Sequence, residues 1–332
     1  MRNSSFVKEV LYAERTSADS RPLLVFVTYT GLGDLLMALP LFAVLKARFY
    51  VLPVVKSSDE DLVQLLCEDG LLEGYLAVDQ NMRFRQNPMG HMKLCIALSR
   101  LRADVVLIYG KLLLAAAAYL GLLRAGHILF CIPYGSMPPS SRRFASLAPT
   151  GNQTSDYLQF ARKLGIDSEP MRVQLTEHSK ERLRQALSAR IKWPSYAVIA
   201  PWAGDPRREA SPRFFRQCIE TIVKHGGLPV VVTGMPQNRP QAKSLLSGLP
   251  QEYVNDVTGA TDTRQMLALL QGARFLLAND SGNLHLAGLV GTRSLVAFGP
   301  TGPDQLLLGE ATNRVTPFSL RLSCSPCSRS SH

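Results

Sequence analysis

The stretch with the most chemical information is Asp280-Ser-Gly-Asn-Leu-His285, which follows an apolar run and opens a helical pattern. Backbone N–H groups at a helix start carry partial positive charge, so the stretch predicts a binding site for an anion such as a diphosphate. Ser281 and Gly282 permit close approach of the backbone, and His285 lies one turn along the same face. Because a carboxylate repels phosphate, we expect Asp280 to cap the helix or to hold the loop. A packing role for His285 explains the same residue equally well.

A second stretch, Thr30-Gly-Leu-Gly-Asp34, also follows an apolar run. Gly31 and Gly33 permit a tight turn, and Asp34 stands at the mouth of the following helix, where the helix dipole favours an ionised carboxylate. Such a carboxylate can accept a proton from an attacking hydroxyl as a general base, although helix capping explains the same residue type. The third glycine of a dinucleotide-binding fingerprint is missing at the required spacing, which argues against that class of site.

Arg207 and Arg208 stand on a predicted loop before a predicted helix, where two guanidinium groups can neutralise a leaving diphosphate without a metal ion. Two solvated surface arginines are the alternative interpretation. The run Asp59-Glu-Asp61 has the D-x-D pattern of metal-dependent sugar transfer, but it follows Ser57-Ser58 and is typical of an acidic first helical turn. Only Cys324-Ser-Pro-Cys327 has ligand-like spacing, and no second cysteine pair completes a four-ligand zinc site. We therefore predict no metal.

Composition narrows the class of protein. The chain has 332 residues and a formal net charge of +11, so we expect two domains of about 150 residues and an anionic partner. A phosphorylated glycolipid or a membrane surface fits that charge, whereas the lack of dense Lys/Arg blocks with interleaved aromatics disfavours nucleic acid. The segment Met1–Arg21 lacks the apolar core of a signal peptide, and Lys111 interrupts the most apolar stretch, Val105–Leu123. We therefore expect a cytoplasmic protein without a membrane span.

Short apolar runs alternate with helical patterns, which predicts parallel sheets with helices on both faces. The predicted strands are Leu23–Thr28, Val51–Val55, Gly74–Val78, Val105–Tyr109, Ile128–Ile132, Tyr196–Ala200, Leu228–Val232, Phe275–Ala278 and Ser294–Phe298. The predicted helices include Leu35–Phe49, Ser155–Leu164, Arg213–His225, Arg264–Leu270 and one that opens at Asp280-Ser-Gly282. The Pro/Ser/Arg-rich segment Pro133–Thr150 is predicted to form a loop.

This alternation begins twice, which predicts an α/β protein of two Rossmann-like, doubly wound lobes. We expect an N-terminal extension at 1–22, a first lobe at 23–166, an inter-domain region at 167–194 and a second lobe at 195–332. Ligands bind outside the carboxyl ends of the strands in such folds, so two facing lobes would leave a ligand cleft between them.

The ordered motifs resemble the heptosyltransferase family, glycosyltransferase family 9, over roughly Leu23–Cys327. The matching residues are Gly31-Leu-Gly-Asp34 with Leu36, Leu39 and Pro40, then Asp280-Ser-Gly282 with His285, Gly291 and Thr292, then Phe298-Gly-Pro-Thr301 and Cys324-Ser-Pro-Cys327. The chain departs from the family pattern in two places. Gln153 stands where the family has a histidine, and Arg207-Arg-Glu-Ala210 stands where it has Lys-x-Trp-Pro.

The resemblance implies a GT-B fold, with the acceptor on the first lobe and the sugar nucleotide on the second. It implies inverting transfer of heptose from ADP-heptose to the lipopolysaccharide inner core, with no cofactor and no required metal. Asp34 is then the general base for the acceptor hydroxyl. The nucleotide-sugar site would comprise Arg207, Arg208, Asp280, Ser281, Gly282 and His285.

The implied acceptor is an anionic glycolipid, so we expect basic residues of the first lobe to meet its phosphates. The predicted acceptor contacts are Gly33, Arg83, Arg85 and Lys111, with solvated surface charge as the alternative for the basic residues. An acceptor of this kind also implies peripheral contact with the inner membrane at its cytoplasmic face.

Two other functions stay open on the sequence alone. A protein that binds sugar nucleotides without transferring them fits the altered Arg207–Ala210 loop. A sugar-nucleotide epimerase on a similar two-lobed scaffold would need further acid/base carboxylates, which the sequence does not reveal. An epimerase would convert the donor in the absence of any acceptor.

Overall fold

A computed structural model of the chain describes residues 7–11, 20–28, 31–78, 89, 96, 99–110, 126–131, 144–167, 169, 171–187, 191–307 and 313–320. The chain divides into two compact units, Met1–Val173 and Gln174–His332. The division falls inside the predicted inter-domain region, 167–194.

The described residues of the first unit form a seven-stranded sheet with helices packed against it. Its strands are β1 Val7–Leu11, β2 Leu23–Val27, β3 Tyr50–Lys56, β4 Gly74–Val78, β5 Val105–Tyr109, β6 His127–Cys131 and β7 Phe144–Leu147. Its helices are α1 Leu32–Leu45, α2 Glu60–Glu68 and α3 Gln153–Lys163. The strand order is β1-β4-β3-β2-β5-β6-β7, in which β1 is antiparallel to β4 and the other neighbours are parallel.

Strand β2 shows how the first unit positions its helices. Successive side chains of a strand point to opposite faces, and Val25 and Val27 pack into the buried cluster on one face. Phe26 points to the other face, where its ring centroid lies 5.2 Å from that of Phe42 in α1 and 5.4 Å from that of Tyr157 in α3. One buried aromatic residue therefore packs against both α1 and α3, and these two helices also contact each other.

The second unit holds a six-stranded sheet in the described residues, and all its neighbouring strands are parallel. The strands are β8 Ala197–Ala200, β9 Val230–Val232, β10 Val254–Asp256, β11 Phe275–Asn279, β12 Ser294–Ala297 and β13 Val315–Phe318. The helices are α4 Glu177–Leu187, α5 Pro212–Gly226, α6 Arg239–Leu246, α7 Thr263–Gly272, α8 Gly282–Val290 and α9 Pro303–Leu306. Helix α4, which lies in the predicted inter-domain region, packs against α7.

The two sheets share one winding pattern. Across the second sheet the order is β10-β9-β8-β11-β12-β13, and the parallel strands of the first sheet run β4-β3-β2-β5-β6-β7. Numbered along the chain, both sets read 3-2-1-4-5-6, which is the order of a doubly wound Rossmann fold. The predicted fold of each lobe is confirmed. The order reverses between β2 and β5 and between β8 and β11, and such switch points are where these folds bind ligands.

Four of the strands in the described part of the chain were not predicted, and all four lie at sheet edges. They are β1 in the predicted N-terminal extension, β7 inside the predicted loop Pro133–Thr150, and β10 and β13 in the second unit. The loop prediction is wrong for Phe144–Leu147, and one more strand, β13, follows the predicted strand Ser294–Phe298. An edge strand has one neighbour and is partly exposed, so it needs no continuous apolar run. The hydrophobic pattern that revealed the central strands is therefore weak at the edges.

The most apolar stretch of the sequence begins as a strand, as predicted. Val105–Tyr109 is the buried strand β5, while residues 111–123 lie outside the described part of the chain. Within the described residues, no helix combines the length and the apolar character needed to cross a lipid bilayer.

Candidate functional site

The start of α8 has the geometry of an anion site. The helix begins at Gly282, and Ser281 is its N-cap in an extended conformation, without a side-chain cap hydrogen bond. The Ser281 hydroxyl oxygen is shielded from solvent and has no hydrogen-bond partner among the described residues. A buried hydroxyl without a partner costs about 1–3 kcal/mol, and unpaired N–H groups stand at every helix start. These groups can be satisfied by an anion bound at this end of α8.

Asp280 holds the loop in front of α8. Its side chain is 1% exposed, and its Oδ2 accepts a hydrogen bond from the Thr301 hydroxyl. Arg208 approaches it with Nη1 at 3.6 Å from Oδ2, and the same nitrogen donates to the Asp280 carbonyl oxygen at 3.5 Å. The N-cap role considered for Asp280 is wrong because Ser281 occupies that position. Thr301 and Arg208 tie the Asp280 carboxylate into the loop.

The two arginines of the preceding loop have different surroundings. Arg207 is 84% exposed and pairs with Asp205, with 2.7 Å between Nη2 and Oδ2. Hydrogen bonds from Arg207 lower the pKa of that aspartate to about 2. Arg208 is 37% exposed and reaches the buried Asp280 instead. Although the two arginines are adjacent in sequence, they contact different carboxylates. Of the two, Arg208 is the one that lies against the loop before α8.

Asn279, the last residue of β11, joins the two loops at the switch point of the second sheet. Its side chain is fully buried. Its Oδ1 accepts from the Ala210 N–H at 2.9 Å, and its Nδ2 donates to the Pro201 carbonyl oxygen at 2.7 Å. The loop that bears Arg208 is thus held beside the loop that bears Asp280. The sequence analysis missed Asn279, although an amide that ends an apolar run is a detectable signal.

His285 lies on the first turns of α8 and is partly buried. Its pKa is lowered to about 4: burial is the largest cause, the charge of Asp280 opposes it, and the charge of Arg208 adds to it. The imidazole is therefore neutral at pH 7 and can offer a ligand a hydrogen bond rather than a charge.

Asp34 occupies the corresponding place in the first unit, at the start of α1. The helix begins three residues earlier than predicted, with Gly31 as its N-cap and Gly33 in its first turn, so Asp34 lies inside the first turn and is not the cap. Its Oδ2 accepts from the Gly31 N–H at 3.1 Å, and its Oδ1 accepts from Nε2 of Gln153 at 2.7 Å. The side chain is neither fully buried nor fully exposed, so one carboxylate is oriented from both oxygens and still meets solvent.

Other predicted site residues lie outside the described residues or serve another role. Arg83, Arg85, Lys111, Cys324 and Cys327 fall outside the described part of the chain. The acidic run Asp59-Glu-Asp61 lies at the start of α2, with Glu60 and Asp61 in its first turn, as predicted. Among the residues that the structure describes, no three His, Cys, Asp or Glu side chains cluster as a metal site would require.

A cavity of about 730 Å³ lies in the second unit beside the loop after β8. Trp202, Glu209, Arg213, Phe215 and Gln241 are among its lining residues. None of the residues predicted to bind the sugar nucleotide lines it. The cavity therefore does not include the residues at the start of α8.

Comparison with known proteins identifies the family. The model of "Glycosyltransferase family 9 (heptosyltransferase)" matches residues 149–332, more than half of the chain. The chain belongs to this family. It is accordingly a glycosyltransferase, as the motifs predicted. No curated protein sequence matches the chain significantly.

Solved structures show the fold of this family 9 glycosyltransferase. A family 9 glycosyltransferase from Veillonella parvula has a TM-score of 0.70 at 14% identity, covering 92% of this chain and 90% of that one. ADP-heptose lipopolysaccharide heptosyltransferase II of Escherichia coli has a TM-score of 0.66 at 16% identity, covering 89% and 90%. E. coli heptosyltransferase WaaC with ADP has a TM-score of 0.66 at 18% identity, covering 90% and 93%. The predicted GT-B fold is confirmed.

Proposed function

We propose that this family 9 glycosyltransferase transfers heptose from ADP-heptose to an inner-core acceptor of lipopolysaccharide. The observation that carries the proposal is the start of α8, where the buried Ser281 hydroxyl has no partner among the described residues and Arg208 lies alongside. The phosphate oxygens of a nucleoside diphosphate can accept the hydrogen bond for which the Ser281 hydroxyl has no described partner. The structural neighbours that are named for ADP-heptose, or hold ADP, support this choice of donor.

Asp34 is the proposed general base. Its carboxylate takes the proton of the acceptor hydroxyl as that oxygen attacks the anomeric carbon of the donor. The bond between the anomeric carbon and the diphosphate oxygen breaks in the same displacement, and ADP leaves with the electron pair. Attack opposite to the leaving group inverts the configuration at that carbon. The hydrogen bonds from Gly31 and Gln153 support this role because both are donated to the carboxylate and so favour its ionised form, which is the form that can take up a proton.

The charge on the departing ADP is stabilised by protein groups in this proposal. Arg208, the N–H groups of Ser281 and Gly282, and the dipole of α8 would act on the diphosphate. Neutral His285 would add a hydrogen bond, whereas Arg207, which is exposed and paired with Asp205, would contribute little. With these groups present, transfer requires no metal ion. We expect full activity in the presence of a chelator.

The acceptor side of the proposal is an anionic glycolipid at the cytoplasmic face of the inner membrane. The net charge of +11 supports it, since a positive protein is attracted to phosphorylated lipid. Gly33, Arg83, Arg85 and Lys111 are the proposed contacts. Exchange of the three basic residues for glutamine should raise the KM for acceptor and leave the affinity for ADP unchanged.

The test is a transfer reaction with purified protein, ADP-heptose and a heptose-free inner-core acceptor, read by mass spectrometry of the glycolipid. We expect the acceptor to gain one heptosyl residue, with and without chelator, and no conversion of donor when acceptor is omitted. Calorimetric binding of ADP-heptose without any product would instead favour a binding protein. Conversion of the donor without acceptor would favour an epimerase.

A further inference from the structure

The Asp34 carboxylate is held by uncharged donors from two different parts of the first unit. Oδ2 accepts from the Gly31 N–H at 3.1 Å within the same helical turn. Oδ1 accepts from Nε2 of Gln153, the first residue of α3, at 2.7 Å. The second bond joins residues 119 positions apart in the sequence. Its geometry depends on how α1 and α3 pack, not on local sequence.

The direction of the two hydrogen bonds from Gln153 follows from the chemistry of the groups. An ionised carboxylate only accepts, so Gln153 must present its amide nitrogen to Asp34. The second proton of that nitrogen goes to the Tyr157 hydroxyl oxygen at 2.5 Å. Tyr157 accepts from Gln153, and its hydroxyl lies 3.4 Å from that of Thr28, in a hydrogen bond that either oxygen can donate. Gln153 thus donates one amide proton to Tyr157 and the other to Asp34.

Tyr157 is fixed in place, which fixes the amide of Gln153 in turn. Its side chain is fully buried, and its ring packs edge-on against Phe26 and, at 4.6 Å between centroids, against Tyr109. Burial, followed by the nearby charge of Asp34, raises the pKa of Tyr157 well above its ordinary value. The phenol is therefore protonated at neutral pH and functions as an anchor rather than as an acid.

We infer that Gln153 is a positioning residue for the transfer reaction: it orients the Asp34 carboxylate and keeps it ionised, with Tyr157 as its anchor. The inference rests on the proposed function because it assumes that Asp34 is the base. Gln153 touches Asp34 and acts through it. An amide cannot release a proton near neutral pH, so the donor at this position is present at every working pH.

The decisive variant is Gln153→Met, which has a similar length but no amide. Without the donor the ionised form of Asp34 loses one hydrogen bond, and such a bond is equivalent to about one pH unit in the titration of a carboxyl group. We expect the midpoint of the acid limb in the pH profile of kcat to shift to higher pH by about one unit. We also expect kcat to fall about 10- to 100-fold, because a misplaced base is a poor one. The KM for ADP-heptose should not change.

Gln159→Met is the matched control. Gln159 lies on the same helix, and its Nε2 donates to the Ala148 carbonyl oxygen at 3.0 Å and to Oδ1 of Asp156 at 3.4 Å, not to Asp34. The control removes an amide from α3 and should leave both kcat and the pH profile unchanged. A second variant, Tyr157→Phe, keeps the ring and removes the anchor hydroxyl, so it should move the profile in the same direction as Gln153→Met but less far.

A direct readout that does not depend on turnover is the 13C NMR titration of labelled aspartate carboxyl groups, with Asp34 assigned from its loss in Asp34→Asn. We expect its titration midpoint to rise in Gln153→Met. It should rise further in Gln153→Glu, where two carboxyl groups about 3 Å apart cannot both ionise. An unchanged titration midpoint of Asp34 in Gln153→Met, whether or not kcat falls, would overturn the positioning role.

The outcomes separate this inference from the proposed function. If Asp34→Asn abolishes transfer while Gln153→Met leaves kcat and the midpoint at wild-type values, only the role of Gln153 fails. If the midpoint shifts as expected but Asp34→Asn retains full transfer, Gln153 still tunes Asp34 and the assignment of the base fails.

Discussion

The starts of α1 and α8 both carry an aspartate, yet the two carboxylates are held in opposite ways. In the contacts that the structure describes, Asp34 accepts from N–H groups of Gly31 and Gln153 and keeps some exposure. Asp280 is buried beneath Thr301 and Arg208. A partly exposed carboxylate can meet a substrate, whereas a buried one engaged by a cation and a hydroxyl serves as a fixed support. The environment of the side chain, and not its place at a helix start, decides the role.

The largest expected effect concerns the first of these carboxylates. Asp34→Asn preserves the shape of the side chain and removes its basicity. We expect kcat to fall about a thousandfold, within the range that general-base catalysis supplies, measured as heptosyl transfer under saturating substrates. ADP affinity should be unaffected. Wild-type turnover in this variant would show that Asp34 is not the general base.

The second prediction concerns the supporting role of the other carboxylate. Asp280→Ala leaves Thr301 without its acceptor and the partly exposed Arg208 without its partner, and loss of charge-assisted hydrogen bonds to a buried carboxylate is destabilising. We expect the free energy of unfolding, measured in urea, to drop by about 2–3 kcal/mol. The matched control is Asp205→Ala, which breaks the exposed pair with Arg207 and should cost at most about 1 kcal/mol. Equal losses in the two variants would contradict the contrast drawn here.

The third prediction is a pH dependence at the α8 start. The pKa of His285 lies at about 4 in the folded protein and near 6.5 in an unfolded chain, so between these values the unfolded chain binds more protons. The contribution of His285 to stability is therefore complete above about pH 6.5 and is lost as the pH falls toward 4. Because the side chain is partly exposed, we expect a loss of roughly 2 kcal/mol. His285→Asn should remove that part of the pH dependence in urea unfolding at pH 7 and pH 4.5; identical slopes would disprove it.

The smallest expected effect separates the two neighbouring arginines. Arg208→Gln removes the cation beside the proposed diphosphate site, and we expect about a tenfold loss of ADP affinity by calorimetry. Arg207→Gln removes an arginine that is paired with Asp205 and is 84% exposed, so its effect should be less than about threefold. A larger loss of ADP affinity in Arg207→Gln than in Arg208→Gln would show that Arg207 leaves Asp205 to bind the ligand.

The sequence predicted the central architecture because central strands carry a strong signal. Leu23–Val27 is buried at every position, and such a run has few alternatives to a buried strand. The edge strands escaped detection: β7 consists of Phe-Ala-Ser-Leu, three of whose residues are partly exposed. A strand of this kind is recognised from its pairing with the neighbouring strand, here β6, and not from its own sequence.

Within the candidate site, residue types were predictable and pairings were not. The sequence located Asp34, Ser281 and Gly282 because glycine-bearing turns at helix starts follow local rules. It did not distinguish Arg207 from Arg208, since which one meets Asp280 depends on a contact 72 residues away. Gln153 was noted only as a departure from a family histidine, because its partner is set by the packing of two helices.

The most direct test of the contrast between the two helix starts is a crystal structure of the protein with ADP bound. We expect the diphosphate oxygens to lie within hydrogen-bond distance of the backbone N–H groups at Ser281 and Gly282, with Arg208 beside them. We expect no diphosphate oxygen to contact the first turn of α1. A diphosphate bound against the Gly31–Asp34 turn, with the Ser281 hydroxyl still unpaired, would contradict it.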